Sequence, residues 1–184
     1  MTTDSEFPWE LRERLWHTTT PSRYDGILSA GSILPNPAIP DSERWKTSRG
    51  SDFYPYVRVL GGVSLFDFRA FDPDAYSAEY PLSSWREFVP YQRRWGAAIW
   101  IEIDRTRVGD AYIDGEALLA RWKRENAQRH TIMPLIEAAH IGPIPLQAVS
   151  RVLQIGVNDP TFVEVSIRSG RRTETLRAPY ADEA

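Results

Sequence analysis

Apolar and polar residues near the start of the chain predict a short strand that runs into a helix. Leu15 to Thr18 is an apolar and aromatic run of the kind found in strands. Thr20 can cap a following helix, Pro21 fits its first turn, and apolar residues after them recur at helical spacing. Gly31 suits the left-handed position that ends such a helix.

Two further strand regions are predicted in the middle of the chain. Residues 57–68 read VRVLGGVSLFDF, and Gly61-Gly62 within them indicates a bulge or a close approach of another group to the backbone. In residues 97–104, isoleucines alternate with Trp100 and Glu102, which is the period of two expected for a half-buried strand.

The remaining segments predict short helices and then more strands. Residues 72–95 are rich in turn-forming and then aromatic residues, which favours short helices. Asp114 suits the N-cap of a helix over residues 115–128. Strands are then expected over 131–141, over 151–157, and in a hairpin of 162–168 with 171–177 about Ser169-Gly170. Helices first and a mostly antiparallel sheet afterwards indicate an α+β fold.

Composition narrows the class of protein. A chain of 184 residues with 42% apolar residues can bury one core, so a single domain over residues 1–184 is expected. Cysteine is absent, which excludes disulfides, thiolate metal sites and cysteine nucleophiles. The charged N-terminal segment does not look like a signal peptide, and no apolar run approaches a membrane span, so a cytoplasmic protein without membrane contact is expected. The net charge of −3 and the scattered Lys and Arg do not predict tight nonspecific binding to nucleic acid.

Two residues stand out as candidates for chemistry. His17 sits on the apolar strand directly before a helix start, where an imidazole, hydroxyls and free backbone N–H groups come together. Taken alone, a histidine in this position is more often a hydrogen-bonded structural residue. Glu137 has apolar neighbours on both sides, so it either faces solvent from a strand or lines a cleft as a buried carboxylate.

The sequence contains no motif typical of a metal site or of the common nucleotide-binding loops. His130, Glu137 and His140 are metal-ligating residue types, but on a strand Glu137 and His140 point to opposite faces, so no metal site is expected. The sequence has no nucleophile elbow, no P-loop and no glycine-rich dinucleotide fingerprint. A dinucleotide would therefore have to be bound by a fold other than the doubly wound one.

Three short motifs carry a resemblance to a known family: LWHTTTPSRYDGILSAGSI, GGVSLFDF and IEAAHIGPIPLQAVSRVLQIGV, in this order. Together they resemble the ADP-ribosyltransferase superfamily, and among its members the DNA-modifying toxins and related bacterial proteins. The resemblance implies a mostly antiparallel split β-sheet with flanking helices, NAD as substrate, and glycosyl transfer to a protein or nucleic-acid acceptor. It also implies a toxin or phage-defence effector, with an antitoxin as partner.

The same resemblance assigns roles to five residues. His17 is similar to the family histidine that hydrogen-bonds the adenosine-side ribose, and Thr18 to the neighbour whose backbone holds the nicotinamide amide. Ser64 and Phe66 fall where the family has a middle-strand Ser or Tyr and an aromatic wall beside nicotinamide. Glu137 resembles the catalytic glutamate, which binds the nicotinamide-side ribose and stabilises developing positive charge.

Some alternatives stay open at this level. Tyr54 or Tyr56 could serve in place of Ser64, and His140 has no counterpart in the family pattern. The same fold could instead be a noncatalytic binding module that uses exposed aromatic residues, namely Trp45, Trp85, Tyr91 and Trp95. A related enzyme class that transfers an RNA 2′-phosphate needs several arginines or lysines in its cleft, and the sequence alone does not identify such a set.

Overall fold

The computed structural model describes residues 6–167, which form nine strands and four α-helices. The strands are β1 (Leu15–Thr19), β2 (Ser32–Ile33), β3 (Gly62–Asp67), β4 (Ala97–Ile103), β5 (Tyr112–Ile113), β6 (Glu137–Ile141), β7 (Ile144–Pro145), β8 (Val149–Gly156) and β9 (Asp159–Glu164). The helices are α1 (Pro21–Ala30), α2 (Tyr56–Val59), α3 (Pro73–Glu79) and α4 (Gly115–Arg124). Short 3₁₀ turns occupy several of the connections, two of them within residues 72–95.

Seven strands form one sheet in the order β5-β6-β3-β1-β4-β8-β9, and β2 pairs separately with β7. Every strand pairing within residues 6–167 is antiparallel. The predicted α+β class with a mostly antiparallel sheet is confirmed. The predicted order is wrong, because helices alternate with strands along the chain instead of preceding them.

The sheet opens between two of its central strands. β1 pairs with β4 from Trp16 to Thr19, but it pairs with β3 only at Leu15 and Trp16. Beyond Trp16 the facing edges of β1 and β3 no longer form a ladder, which leaves main-chain hydrogen-bonding groups for other partners.

The two faces of the sheet bury different kinds of side chain. Trp16 and Trp100 belong to an aromatic cluster on one face, whereas Leu65 and Ile101 belong to an aliphatic cluster on the other. Trp100 and Ile101 are both 0% exposed. The prediction that β4 is half-buried is therefore wrong, because β4 lies between β1 and β8 with a hydrophobic cluster on each face.

The local helix signals are confirmed. Thr20 Oγ1 accepts a hydrogen bond from the N–H of Arg23 at 3.3 Å, and Gly31 has a φ of 69°. Asp114 caps α4 by accepting from the N–H of Ala117 at 2.8 Å. α4 ends at Arg124, which is shorter than the predicted helix over 115–128.

Two predicted strands begin later than expected. Residues 56–59 form the helical turn α2, and β3 starts at Gly62, where its pairing with β6 starts. The predicted close approach at Gly61-Gly62 does occur, since a Cβ on Gly62 would lie 3.3 Å from the carbonyl oxygen of His140. β6 begins only at Glu137, because residues 133–136 form a tight turn.

The predicted hairpin about Ser169-Gly170 lies outside the described residues, as does its second arm. Part of its first arm is β9, which pairs with β8. Within residues 6–167, none of the helices combines the length and the apolar composition that crossing a membrane requires.

Candidate functional site

A cleft of about 570 Å³ is lined by β1 and β3 where these strands separate, and by α1 and the segment that follows it. All five residues to which the resemblance assigns roles line this cleft: His17, Thr18, Ser64, Phe66 and Glu137. The fold thus brings together residues from three separate parts of the chain.

Glu137 is a buried carboxylate that is held by two neutral donors. Its exposed fraction is 3%. The hydroxyl of Ser64 donates to Oε1 at 2.7 Å, and the N–H of Met133 donates to Oε2 at 2.9 Å. Burial raises the pKa of Glu137 to about 7, although both hydrogen bonds act in the opposite direction. The carboxyl group therefore changes charge close to neutral pH, where a small change in its surroundings alters its charge state.

The register of the sheet explains why Ser64 reaches Glu137. Glu137 lies opposite Phe66, and Ser64 lies opposite Ala139, on the antiparallel pair of β3 and β6. Residues two apart on a strand share a face, so Ser64, Phe66 and Glu137 project to the same side of the sheet. The serine and the glutamate are diagonal neighbours within hydrogen-bonding reach.

His17 is half-buried beside the opening of the sheet and contacts Ser64 from the other strand. Its Nδ1 lies 3.0 Å from the carbonyl oxygen of Ser64. A carbonyl only accepts, so Nδ1 carries the proton and Nε2 of the neutral ring is an acceptor. Burial lowers the pKa of His17, and the bond to the carbonyl opposes this effect. The site therefore has a neutral imidazole that can accept a hydrogen bond from a ligand hydroxyl.

Thr18 contributes its main chain to the opening. It has a partner in β4, Trp100, and none in β3 among the described strand pairings. The carbonyl of Arg14 accepts from the N–H of Phe68 at 2.9 Å, so Arg14 directs its main-chain groups toward the β3 side. Thr18, four residues further on, directs its N–H and C=O to the same side, where β3 no longer pairs with it. Its side-chain hydroxyl donates to the carbonyl of Ile99 at 3.2 Å, so the side chain anchors the strand. An adjacent N–H donor and C=O acceptor match a planar carboxamide.

The Glu137 end of the cleft is aromatic. Phe66 is buried, and its ring centroid lies 5.2 Å from that of Phe88, whose ring in turn contacts Trp45 at 5.2 Å. Trp95 and Met133 line the same region. Apart from Phe66, none of these residues was predicted for the site, because their positions depend on tertiary packing of segments without periodicity.

The cleft also contains three arginines that sequence reasoning did not find. Arg23 donates to the carbonyl of Glu43 at 2.8 Å, and Arg58 donates to Asp41 at 2.8 Å. Burial lowers the pKa of Arg44, and the neighbouring charge of Arg58 lowers it further. Arg23 and Arg58 also form salt bridges, with Glu43 and Asp41 respectively. The three guanidinium groups that line the cleft are donors of the kind that bind phosphate oxygens.

Two of the alternatives for the site are wrong. Neither Tyr54 nor Tyr56 lines the cleft. The hydroxyl of Tyr54 donates to Asp41, and that of Tyr56 donates to Glu125 at 2.5 Å. Both tyrosines are therefore held by carboxylates elsewhere, and Ser64 is the hydroxyl-bearing residue of the middle strand that reaches Glu137.

The other two histidines face main-chain carbonyls. The ring nitrogens of His140 lie 3.1 Å and 3.2 Å from the carbonyl oxygens of Gly142 and Val108. Nδ1 of His130 lies 2.9 Å from the carbonyl of Tyr54. Among residues 6–167, no group of three acidic or histidine side chains is arranged to hold a metal ion.

The aromatic residues proposed for a binding surface are not exposed. Trp85 is 2% exposed and belongs to the aromatic core. Trp45, Tyr91 and Trp95 are partly buried against that core. The premise of a surface of exposed aromatics at these four positions is therefore wrong.

Comparison of this sequence with protein-family models found no family that matches, and a search of curated proteins found no match either.

Proposed function

We propose that this protein is an NAD-dependent ADP-ribosyltransferase with Glu137 as its catalytic residue. The observation that carries the proposal is the buried carboxylate of Glu137, which is bonded to Ser64 and Met133 in a cleft that His17 also lines. No cation pairs with Glu137 among the described residues. Its negative charge is therefore available to a positively charged group of a ligand.

This arrangement suits cleavage of the bond between nicotinamide and ribose. As that bond breaks, nicotinamide leaves with the electron pair and positive charge grows on the sugar. Glu137 would accept a hydrogen bond from the ribose 2′-hydroxyl and stabilise this charge at low local dielectric. An acceptor nucleophile then bonds to the sugar carbon and gives up its proton. The nature of the acceptor, a protein or a nucleic acid, follows from the resemblance only as a pair of alternatives.

The other parts of the cleft fit the remainder of NAD. Nε2 of His17 can accept from a ribose hydroxyl, and the main chain of Thr18 can bond the carboxamide. The aromatic rings around Phe66 suit the nicotinamide ring. The arginine region suits the diphosphate. Transfer in a toxin or phage-defence setting, with an antitoxin as partner, follows only from the sequence resemblance and is part of the same proposal.

A direct assay tests this function. Purified protein is incubated with NAD, and free nicotinamide is measured in the presence and absence of a bacterial lysate. Glu137→Gln should lower nicotinamide release at least about hundredfold, because the amide cannot stabilise positive charge. The matched control is Glu116→Gln on the exposed surface of α4, which should leave the rate unchanged. Absence of nicotinamide release and of any labelled acceptor with the unaltered protein would refute the proposal.

A second candidate is transfer of an RNA 2′-phosphate to NAD, which the three cleft arginines favour. The two functions are distinguished by supplying an oligoribonucleotide with one internal 2′-phosphate. Loss of that phosphate in the presence of NAD would support the second candidate. Nicotinamide release without any change in the oligonucleotide would favour the first.

A further inference from the structure

The backbone directly before Glu137 is strained. Leu135 has a φ of 62°, and the N–H of Ile136 donates to the carbonyl of Pro134 at 2.7 Å. This bond closes a γ-turn whose central residue has a positive φ, which is the rarer and more strained form of that turn. Leucine has no local reason to adopt such a conformation, since its side chain disfavours positive φ.

The strained turn is backed by a glycine of α4. Gly115 is buried at the start of the helix, and a Cβ at this position would fall on the carbonyl group of Leu135. α4 is fixed in place by its Asp114 cap and by Leu118, which is 0% exposed in a hydrophobic cluster with α2 and β6. The turn therefore packs directly against the backbone of α4, and only glycine leaves room for this contact at residue 115.

The turn has a specific effect on the carboxylate that follows it. It returns the chain so that Met133 and Glu137 bond reciprocally. The N–H of Glu137 donates to the carbonyl of Met133 at 3.0 Å, and the N–H of Met133 donates to Oε2 of Glu137 at 2.9 Å. The carbonyl of Ile136 also accepts from the N–H of Asp67 at 2.8 Å, which ties the turn to β3.

We infer that Leu135 and Gly115 are positioning residues for Glu137. Their contact keeps the γ-turn closed, and the closed turn aims the Met133 N–H at Oε2 while Ser64 holds Oε1. Strained backbone persists where the surrounding structure enforces it, and such sites cluster at functional centres. The inference deepens the proposed function and rests on it for the role of Glu137, but the positioning itself is measurable without turnover.

The test combines a ¹³C NMR titration of the Glu137 carboxyl group with NAD turnover. The signal is assigned by its loss in Glu137→Gln. Leu135→Pro holds φ at about −65° and so opens the turn, which weakens the Met133 hydrogen bond and raises the pKa of Glu137. The kcat for NAD should fall about tenfold with KM little changed, because the reacting geometry changes and the binding surface does not. Tyr76, whose pKa is raised by burial and further by the charge of Glu137, and His17 across the cleft are titrated in the same samples.

Matched controls separate positioning from general stability. Leu135→Gly should keep the turn closed, because glycine adopts a φ of 62° without strain. Gly156→Ala adds a methyl group at a site where the nearest atom would be 3.8 Å away. Both controls should keep the wild-type titration of Glu137. Gly115→Ala should shift it as Leu135→Pro does and lower kcat about hundredfold; should it fail to fold, Leu135→Pro still decides.

The outcomes are distinct. A wild-type titration midpoint and a wild-type kcat in Leu135→Pro would overturn the inference. A shifted midpoint in Leu135→Pro, in a protein that never turns over NAD, would support the positioning and refute the proposed function.

Discussion

Replacing Glu137 by glutamine should make the protein more stable at neutral and alkaline pH. The carboxyl group has an ordinary pKa of 4.5 and a pKa of about 7 in the folded protein, mainly because burial disfavours its charge. The glutamine amide can accept from the Met133 N–H and donate to the Ser64 hydroxyl, so both neighbours keep a partner. The substitution removes a charge that the fold holds at a cost.

The size of the effect follows from the two pKa values. Between pH 4.5 and 7 the folded protein binds the proton more tightly than the unfolded chain, so stability falls as the pH rises through this range. The difference between the two pKa values lowers the free energy of unfolding by about 3 kcal/mol above pH 7 and has almost no effect at pH 4. Glu137→Gln should therefore gain less than about 1 kcal/mol at pH 5 and about 3 kcal/mol at pH 8 relative to the wild type.

Urea denaturation of both proteins from pH 4 to pH 8.5 measures this difference directly. Glu116→Gln, which alters an exposed glutamate, supplies the matched control and should show no such trend. If the difference between wild type and Glu137→Gln is the same at pH 5 and pH 8, the carboxyl group does not titrate near neutrality. The charge-based account of the cleft would then be wrong.

Three other measurements test the cleft. Ser64→Ala should raise the pKa of Glu137 further by about 1 to 2, since one hydrogen bond to a charged group is worth about 1.5–3 kcal/mol. Ser64→Thr keeps the hydroxyl and should keep the wild-type pKa, and ¹³C NMR measures the pKa in both variants. Binding of NAD at pH 7 should release a proton, because a cationic nicotinamide ring favours the charged carboxylate; calorimetry in buffers of different ionisation enthalpy detects this, and zero release would contradict it. Arg44→Gln should raise KM for NAD more than it lowers kcat, because Arg44 holds the segment that follows α1 through hydrogen bonds to Asn36 and Ile39. Steady-state kinetics with NAD measures both constants, and a change confined to kcat would contradict this role.

Local chemistry explains what could be predicted from the sequence. The caps of α1 at Thr20 and Gly31 were predicted correctly because each depends on one residue type at one backbone position. The strand predicted over residues 57–68 was half wrong for the opposite reason. Val57 and Val59 have high strand propensity, but β6, the partner of β3, extends only as far as Ile141 opposite Gly62.

The aromatic and arginine parts of the cleft could not be predicted, because they come from segments without periodicity. Arg44 acquires its position from three bonds within its own loop, to Asn36, Pro37 and Ile39. Phe88 acquires its position from rings on distant segments, Trp45 and Phe66. None of these contacts follows from spacing along the chain, since each depends on where the loops cross the sheet.

The sequence left two interpretations of Glu137, a solvent-facing strand residue and a buried carboxylate, and its burial decides between them. Glu137 projects from the same face of the sheet as Phe66, which belongs to the aromatic cluster, and its exposed fraction is 3%. Its partners in the described part of the chain, Ser64 and Met133, are both neutral, whereas carboxylates buried only for structural reasons are normally compensated by a cation. A folded protein that spends about 3 kcal/mol to hold an uncompensated anion beside an open cleft loses stability unless a ligand supplies the missing positive charge. The proposed role of Glu137 therefore rests on an uncompensated carboxylate together with its burial and its raised pKa.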